Sequence, residues 1–210
     1  RERAIIALAD PRHGEAPPML NDVRPIVEAI PLPDGYRLEW WGEYRNSGKA
    51  QAALAASLPA FIGMMVLITI ALFNSLRQTA VIWLVVPLAI IGVTVGLLTT
   101  QQPFGFMALL GFLSLSGMLI KNAIVLIDEI NLQREEDKPE IEAVTGAAVS
   151  RLRPVAMAAA TTILGMAPLF PDAFFVSMAV TIAFGLGFAT VLTMVVVPVL
   201  YATIFRIKSG

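Results

Sequence analysis

The sequence has no cysteine, one histidine (His13) and few charged residues. Without cysteine the chain cannot form disulfides, thiolate nucleophiles or zinc fingers. Its residues also lack the spacing of a metal site, of a nucleophile with its base, or of a phosphate-binding loop, so we do not expect an enzyme. A net charge of −1 gives no support for a nucleic-acid partner.

Hydrophobic residues are what the sequence has in quantity. They make up 57% of its 210 residues, and charged residues make up 15%. Soluble domains average about 45–50% apolar and about 25% charged residues. The charges here are concentrated in residues 1–49, in residues 134–153 and at the end of the chain. This distribution predicts a protein that crosses a membrane several times.

The sequence divides into a polar segment, residues 1–50, and an apolar segment, residues 51–210. Apolar runs cover about residues 54–73, 79–98, 104–130, 154–170 and 174–205. Most of them approach the 20 or so residues that cross a bilayer, so we expect a mainly α-helical bundle of five transmembrane helices. Residues 4–10, 17–30 and 36–44 have the patterns of a strand, a helix and a strand. They predict a partial α/β domain, and hence a piece of a longer polypeptide.

The basic residues predict an orientation in the membrane. They occupy the breaks after the first and third apolar runs and the end of the chain. The positive-inside rule places these three segments in the cytoplasm and residues 1–50 outside. Residues 140–152 are expected to form an amphipathic surface helix that connects two spans.

The third apolar run carries a stripe of polar residues. Ser114, Lys121 and Asp128 recur every seven residues, with Gly117 and Asn122 beside them. A lysine inside a membrane costs about 2.5–3.5 kcal/mol on insertion scales and is usually paired with a carboxylate on an ion or proton path. No other run offers such a carboxylate, so we expect the stripe to face helices outside this sequence. A lysine that extends along its own stem to the interface is the alternative.

Further polar and small residues are candidates for a path or for packing. Thr161 and Thr162 could continue a polar route, with Arg151 at its cytoplasmic mouth. Threonines in membrane helices also commonly bond to their own backbone, and Arg151 also fits an ordinary interfacial anchor. Gly92 and Gly96 form a G-x-x-x-G, which predicts a close helix contact, and Gly117 is a further candidate for helix packing.

Several segments have patterns that are more specific than hydropathy. The segments "GFMALLGFLSLSGMLIKNAIVLIDEI", "RLRPVAMAAATTILGMAPLF" and "SMAVTIAFGLGFATVLTMVVVPVLYA" are similar to the last three helices of resistance-nodulation-division (RND) efflux permeases, in particular of the hydrophobe/amphiphile branch. "LFNSLRQTAVIWLVVPLAIIG" resembles the eighth and ninth helices, and "AIPLPDGYRLEWWGEY" the end of the second periplasmic portion. The resemblance covers nearly the whole chain and makes it helices eight to twelve of a twelve-helix permease.

This resemblance implies a proton-driven multidrug or amphiphile exporter of the bacterial inner membrane. Such a pump is a homotrimer that works with a periplasmic adaptor and an outer-membrane channel, and uses the proton motive force instead of a cofactor. Lys121 matches the lysine that pairs with two aspartates on the fourth helix, which this sequence lacks. The implied proton relay comprises Lys121, Asn122, Arg151, Thr161 and Thr162. A threonine common in the family is replaced by Ala158, and we expect Thr161 and Thr162 to serve instead.

Two alternatives to a proton-driven drug exporter stay open at this point. The chain could be a non-transporting structural or assembly module, including a truncated gene product. It could also belong to a lipid- or protein-exporting relative with the same helix bundle. An aspartate-bearing helix that accompanies Lys121, in the same chain or another, would favour the exporter.

Overall fold

The computed structural model describes residues 5–7, 9, 16–33, 35–136 and 138–207. Within them lie seven α-helices: α1 (Ala16–Glu28), α2 (Glu43–Phe73), α3 (Leu76–Trp83), α4 (Val86–Thr99), α5 (Phe106–Glu135), α6 (Glu140–Met166) and α7 (Val176–Ile204). Five helical segments are long and apolar enough to cross a membrane, with α3 and α4 together forming one of them. The chain divides into two compact units, residues 1–58 and 59–210, and the boundary falls within α2.

The partial α/β segment predicted for residues 1–50 is not formed by the described residues. The helix predicted at residues 17–30 does form, as α1, which ends at Glu28 and has Pro25 inside it. Residues 36–41, and the described part of residues 4–10, have no regular secondary structure. A strand needs a neighbouring strand to bond its N–H and C=O groups, and none is available among the described residues. His13 lies outside the described residues.

The first two predicted spans differ from the structure at their ends. α2 begins at Glu43, well before the predicted residue 54, and ends at Phe73, which is followed by Asn74 with a φ of +46°. The second span, predicted as residues 79–98, is two helices broken at Leu84 and Val85. Pro87 explains the break, because proline has no N–H for the preceding turn and its ring clashes with that turn.

The connector predicted at residues 140–152 is not a separate surface helix. It forms one continuous helix, α6, with the first part of the predicted span 154–170, and Pro154 lies inside it. Ala143, Val144 and Ala147 are buried, and Gly146 lies against the side chain of Gln133 on α5. Packing against α5 thus continues the helix through a region whose charges alone suggested a surface.

The centre of the residue 59–210 unit is α7, which packs against α4, α5 and α6. A Cβ atom added to Gly92 would lie 2.6 Å from the Cβ of Phe188 and 2.7 Å from the carbonyl oxygen of Phe184. At Gly96 it would lie 2.5 Å from the Cβ of Phe184. The two glycines of the G-x-x-x-G therefore lie where the α4 backbone approaches α7 closely.

Candidate functional site

Helix α5 has two chemically different faces. One face is buried in the core and carries apolar residues, including Leu115, Leu119, Ala123 and Leu126. The opposite face is exposed. Its residues, Ser114, Gly117, Lys121 and Asp128, are three, four or seven positions apart and so lie along one line of the helix.

Lys121 lies at the middle of this exposed face. Among the residues that the structure describes, its ammonium group makes no hydrogen bond or ion pair. Asn122 is half-buried at the edge of the same face. The packing expected at Gly117 is not made by the described residues, because a Cβ atom there would have nothing within 4 Å. The stripe is therefore a surface of this chain that its own described helices leave uncovered.

Arg151 is held by Glu129, about two turns beyond Lys121 on α5. The Nε atom of Arg151 donates to Oε2 of Glu129 at 3.0 Å, and Nη2 donates to the same oxygen. Ser150 Oγ and Gln133 Nε2 donate to Oε1 of Glu129 at 3.3 and 2.9 Å. Glu129 thus joins α5 to α6, a role that the sequence pattern did not assign to it.

Thr161 and Thr162 bond to their own helix. The hydroxyl of Thr161 donates to the carbonyl oxygens of Met157 and Ala158, both at 3.0 Å. The hydroxyl of Thr162 donates to the carbonyl oxygen of Ala158 at 2.8 Å. These are the local bonds that threonines commonly make in membrane helices. In this state the structure does not bring the two threonines together with Lys121 or Arg151 through hydrogen bonds.

A polar cluster at the C-terminal end of α5 was missed by the sequence reasoning. Gln78 and Asn131 exchange amide hydrogen bonds of 2.9 and 3.3 Å, which join α3 to α5. The fully buried Tyr201 of α7 donates to Asn131 Oδ1 at 3.3 Å and accepts from Arg134 Nη1 at 3.1 Å. Arg134 also bonds Glu140 at 2.9 Å. A signal existed: Asn131 follows Ile127 at helical spacing, on the apolar face.

Residues 4–205, which are more than half of the chain, match the AcrB/AcrD/AcrF family. The chain belongs to this family of RND permeases. It is 31% identical to the nickel-cobalt-cadmium resistance protein NccA of Alcaligenes xylosoxydans xylosoxydans. The alignment of 186 residues covers 86% of this chain and 17% of the relative. It is 32% identical to the multidrug export protein AcrF of Escherichia coli. That alignment of 210 residues covers 94% of this chain and 20% of the relative.

The fold is also that of a solved structure. The structure of a heavy metal efflux pump superposes with a TM-score of 0.70 at 31% identity, over 90% of this chain and 20% of that one. The chain therefore spans about a fifth of the length of the proteins it matches. The resemblance found in the sequence is confirmed at the level of the RND permease family. Relatives named for metal resistance and for multidrug export both occur, so the family does not decide the substrate.

Proposed function

We propose that this chain is the C-terminal portion of a proton-driven exporter, with Lys121 as the counter-ion of its proton relay. The observation that carries the proposal is the position of Lys121 on the polar face of an otherwise apolar helix, where it is exposed and has no partner among the described residues. A charge within a membrane is costly unless it meets an opposite charge or water. The family resemblance supplies the partner, a pair of aspartates on a helix that precedes this portion.

The relay works through the gain and loss of one charge. While the aspartates are ionised, the ammonium group of Lys121 is attracted to them, and low dielectric makes that attraction strong. When a proton neutralises a carboxylate, the attraction is lost and the lysine side chain is released. Asn122, the next residue on α5, has an amide oxygen that can accept a hydrogen bond from the released ammonium group. The two states of the pair would bias the position of α5, and with it α7, against which α5 packs.

The proposal includes a location and partners. The positive-inside rule orients the chain with residues 1–50 in the periplasm and the C-terminus in the cytoplasm of a bacterial inner membrane. Arg77, Lys138 and Arg206 all fall in segments that this orientation makes cytoplasmic. A homotrimer, a periplasmic adaptor and an outer-membrane channel follow from the family resemblance alone.

Amphiphilic compounds are the substrate class that the resemblance to drug exporters favours. Metal cations are a second candidate, since the relatives include the nickel-cobalt-cadmium resistance protein NccA and the cobalt-zinc-cadmium resistance protein CzcA. The choice belongs to the periplasmic domains of the complete permease. The two classes can be distinguished by measuring proton release from proteoliposomes after addition of either a cationic amphiphilic dye or Co²⁺.

The experiment that tests the relay uses the complete permease in proteoliposomes with an imposed pH gradient. We expect Lys121→Ala to reduce substrate-dependent proton flux to the level of empty vesicles, because the aspartates lose their counter-ion. Lys138→Ala is the matched control: Lys138 pairs with Glu136 at 2.8 Å on an exposed surface, so its loss should leave the flux unchanged. Full flux in Lys121→Ala, with trimer yield equal to wild type, would contradict the proposal and favour a structural or assembly role.

A further inference from the structure

Glu129 on α5 binds Ser150 and Arg151 on α6, and Arg151 is a residue of the proposed proton relay. Asp128, the preceding residue, is exposed on the same face as Lys121. Glu129 points away from that face toward α6, and its side chain is 14% exposed. Of two adjacent acids, the one off the Lys121 face is the one that binds Arg151.

We propose that Glu129 is a positioning residue that holds the guanidinium group of Arg151 in the orientation the proton relay uses. The inference rests on the proposed function, because it concerns how one residue of that relay is kept in place. The family resemblance gives Arg151 a place in the relay, and gives Glu129 none. The contacts described above give Glu129 its role.

Both carboxylate oxygens of Glu129 are engaged. Oε2 accepts from the Nε and Nη2 atoms of Arg151, and Oε1 accepts from Gln133 and Ser150. Charge-assisted bonds that two nitrogens of an arginine donate to one carboxylate restrain the plane of the guanidinium group. Gln133, which lies one turn further along α5, restrains the carboxylate in turn. The geometry is therefore set before any partner arrives.

The bonds to Glu129 occupy one edge of the guanidinium group and leave the other edge available. Arginine has five N–H donors, and Nη1 carries two of them. Among the described residues, Nη1 of Arg151 has no hydrogen-bond acceptor, and the side chain is 33% exposed. A guanidinium group held at one edge presents the other in a fixed direction. An arginine without this restraint would sample many rotamers, so each hydrogen bond that it formed would cost side-chain conformational entropy.

The test uses Glu129→Gln in the complete permease, reconstituted as for Lys121→Ala. Glutamine has nearly the same shape but replaces one acceptor oxygen by an NH₂ donor, so it cannot accept from both sides. We expect the maximal rate of substrate-driven proton flux to fall about tenfold, with the KM for substrate unchanged, because misplacing a relay group slows the step without altering substrate binding. Glu136→Gln, which breaks the exposed pair with Lys138, is the matched control and should keep the wild-type rate.

A double variant tests whether Glu129 acts through Arg151. If it does, Glu129→Gln combined with Arg151→Gln is no slower than Arg151→Gln alone, because the second change has nothing left to disturb. A further slowing in the double variant would overturn the inference. So would a wild-type rate for Glu129→Gln when Arg151→Gln is slow.

A charge exchange separates positioning from a merely structural ion pair, and still decides the matter if Glu129→Gln fails to fold. In Glu129→Arg combined with Arg151→Glu the pair is rebuilt with its guanidinium group on α5. Restored trimer yield with slow proton flux supports the inference, and restored yield with full flux overturns it. Lys121→Ala distinguishes the two proposals: full flux in that variant refutes the proposed function itself, whereas lost flux there with a wild-type rate for Glu129→Gln refutes this inference alone.

Discussion

Lys121 and Glu129 are charged residues on the same helix, about two turns apart, and their surroundings are opposite. Glu129 is mostly buried and accepts hydrogen bonds from three residues on α5 and α6. Lys121 is exposed, and within the described part of the chain nothing bonds to its ammonium group. The described residues of this chain supply hydrogen-bond partners for Glu129 but none for Lys121.

The difference shows where the effect of a substitution should be measured. A residue whose partners all lie within these helices contributes to the stability of this chain, because its removal leaves buried groups unsatisfied. A residue on the open face contributes nothing to the chain's own packing, and its loss should appear in the activity of the complete permease. Substitutions on the open face should therefore affect transport without affecting the stability of this chain. Glu129, whose partners lie within the chain, should affect stability as well as the proton flux that it influences through Arg151.

The largest expected difference in stability is between two glycines, one on each kind of surface. In Gly92→Ala the new Cβ atom would meet the carbonyl oxygen of Phe184 and the Cβ of Phe188, neither of which can rotate away. We expect α4 and α7 to move apart, at a cost of about 1–3 kcal/mol, seen as a lower thermal denaturation temperature of the purified protein in detergent.

The matched substitution is Gly117→Ala on the open face, where a Cβ atom has nothing within 4 Å. Alanine is the better helix former by roughly 0.5–1 kcal/mol, so this variant should denature at the same temperature as wild type or slightly above it. Equal destabilisation by the two substitutions would remove the distinction between the packed and the open surfaces.

A smaller effect is expected from Tyr201→Phe at the polar cluster. The change removes a hydroxyl that accepts from Arg134 and donates to Asn131, and leaves both partners short of one bond. The loss should be about 1 kcal/mol in the free energy of unfolding, measured by urea or detergent titration. Ser114→Ala, on the open face of α5, is the control and should have no effect. A neutral Tyr201→Phe would mean that the cluster adds nothing to the assembly of α3, α5 and α7.

The sequence predicted the membrane helices well because their signal is carried by many residues. Length and hydropathy located five spans, and the seven-residue spacing around Lys121 located the open face of α5. The ends were less accurate wherever packing outweighed composition. The charges of residues 140–152 suggested a surface helix, yet Ala143, Val144 and Ala147 pack in the core and continue α6.

Contacts between distant residues could not be predicted from one sequence. Glu129 and Arg151 are 22 positions apart, and Gln78 and Asn131 are 53 apart. Nothing in the local pattern favours Glu129 over Asp128 as the partner of Arg151, since either acid is within reach of a neighbouring helix. Which of two adjacent acids turns toward α6 depends on how α5 is rotated. That rotation is set by the core residues packed against α7, and it becomes visible only with all the helices in place.

The smallest effect is expected at Glu28, a residue that has partners but is exposed to water. Arg24 Nε donates to the carboxylate of Glu28 at 2.7 Å, and Trp40 Nε1 donates to it at 3.1 Å. These two bonds hold the pKa of Glu28 below its ordinary value of 4.5, and the bond from Arg24 has the larger effect. A lowered pKa in the folded state means that the contribution is complete above pH 4.5 and is lost as the pH falls through the lowered value.

The NMR signal of the Trp40 indole N–H should therefore shift with a midpoint below pH 4.5, and it should not titrate in Glu28→Gln. A midpoint at or above pH 4.5 would mean that neither contact favours the ionised carboxylate. Having a partner would then not be enough to perturb the pKa of an exposed carboxylate.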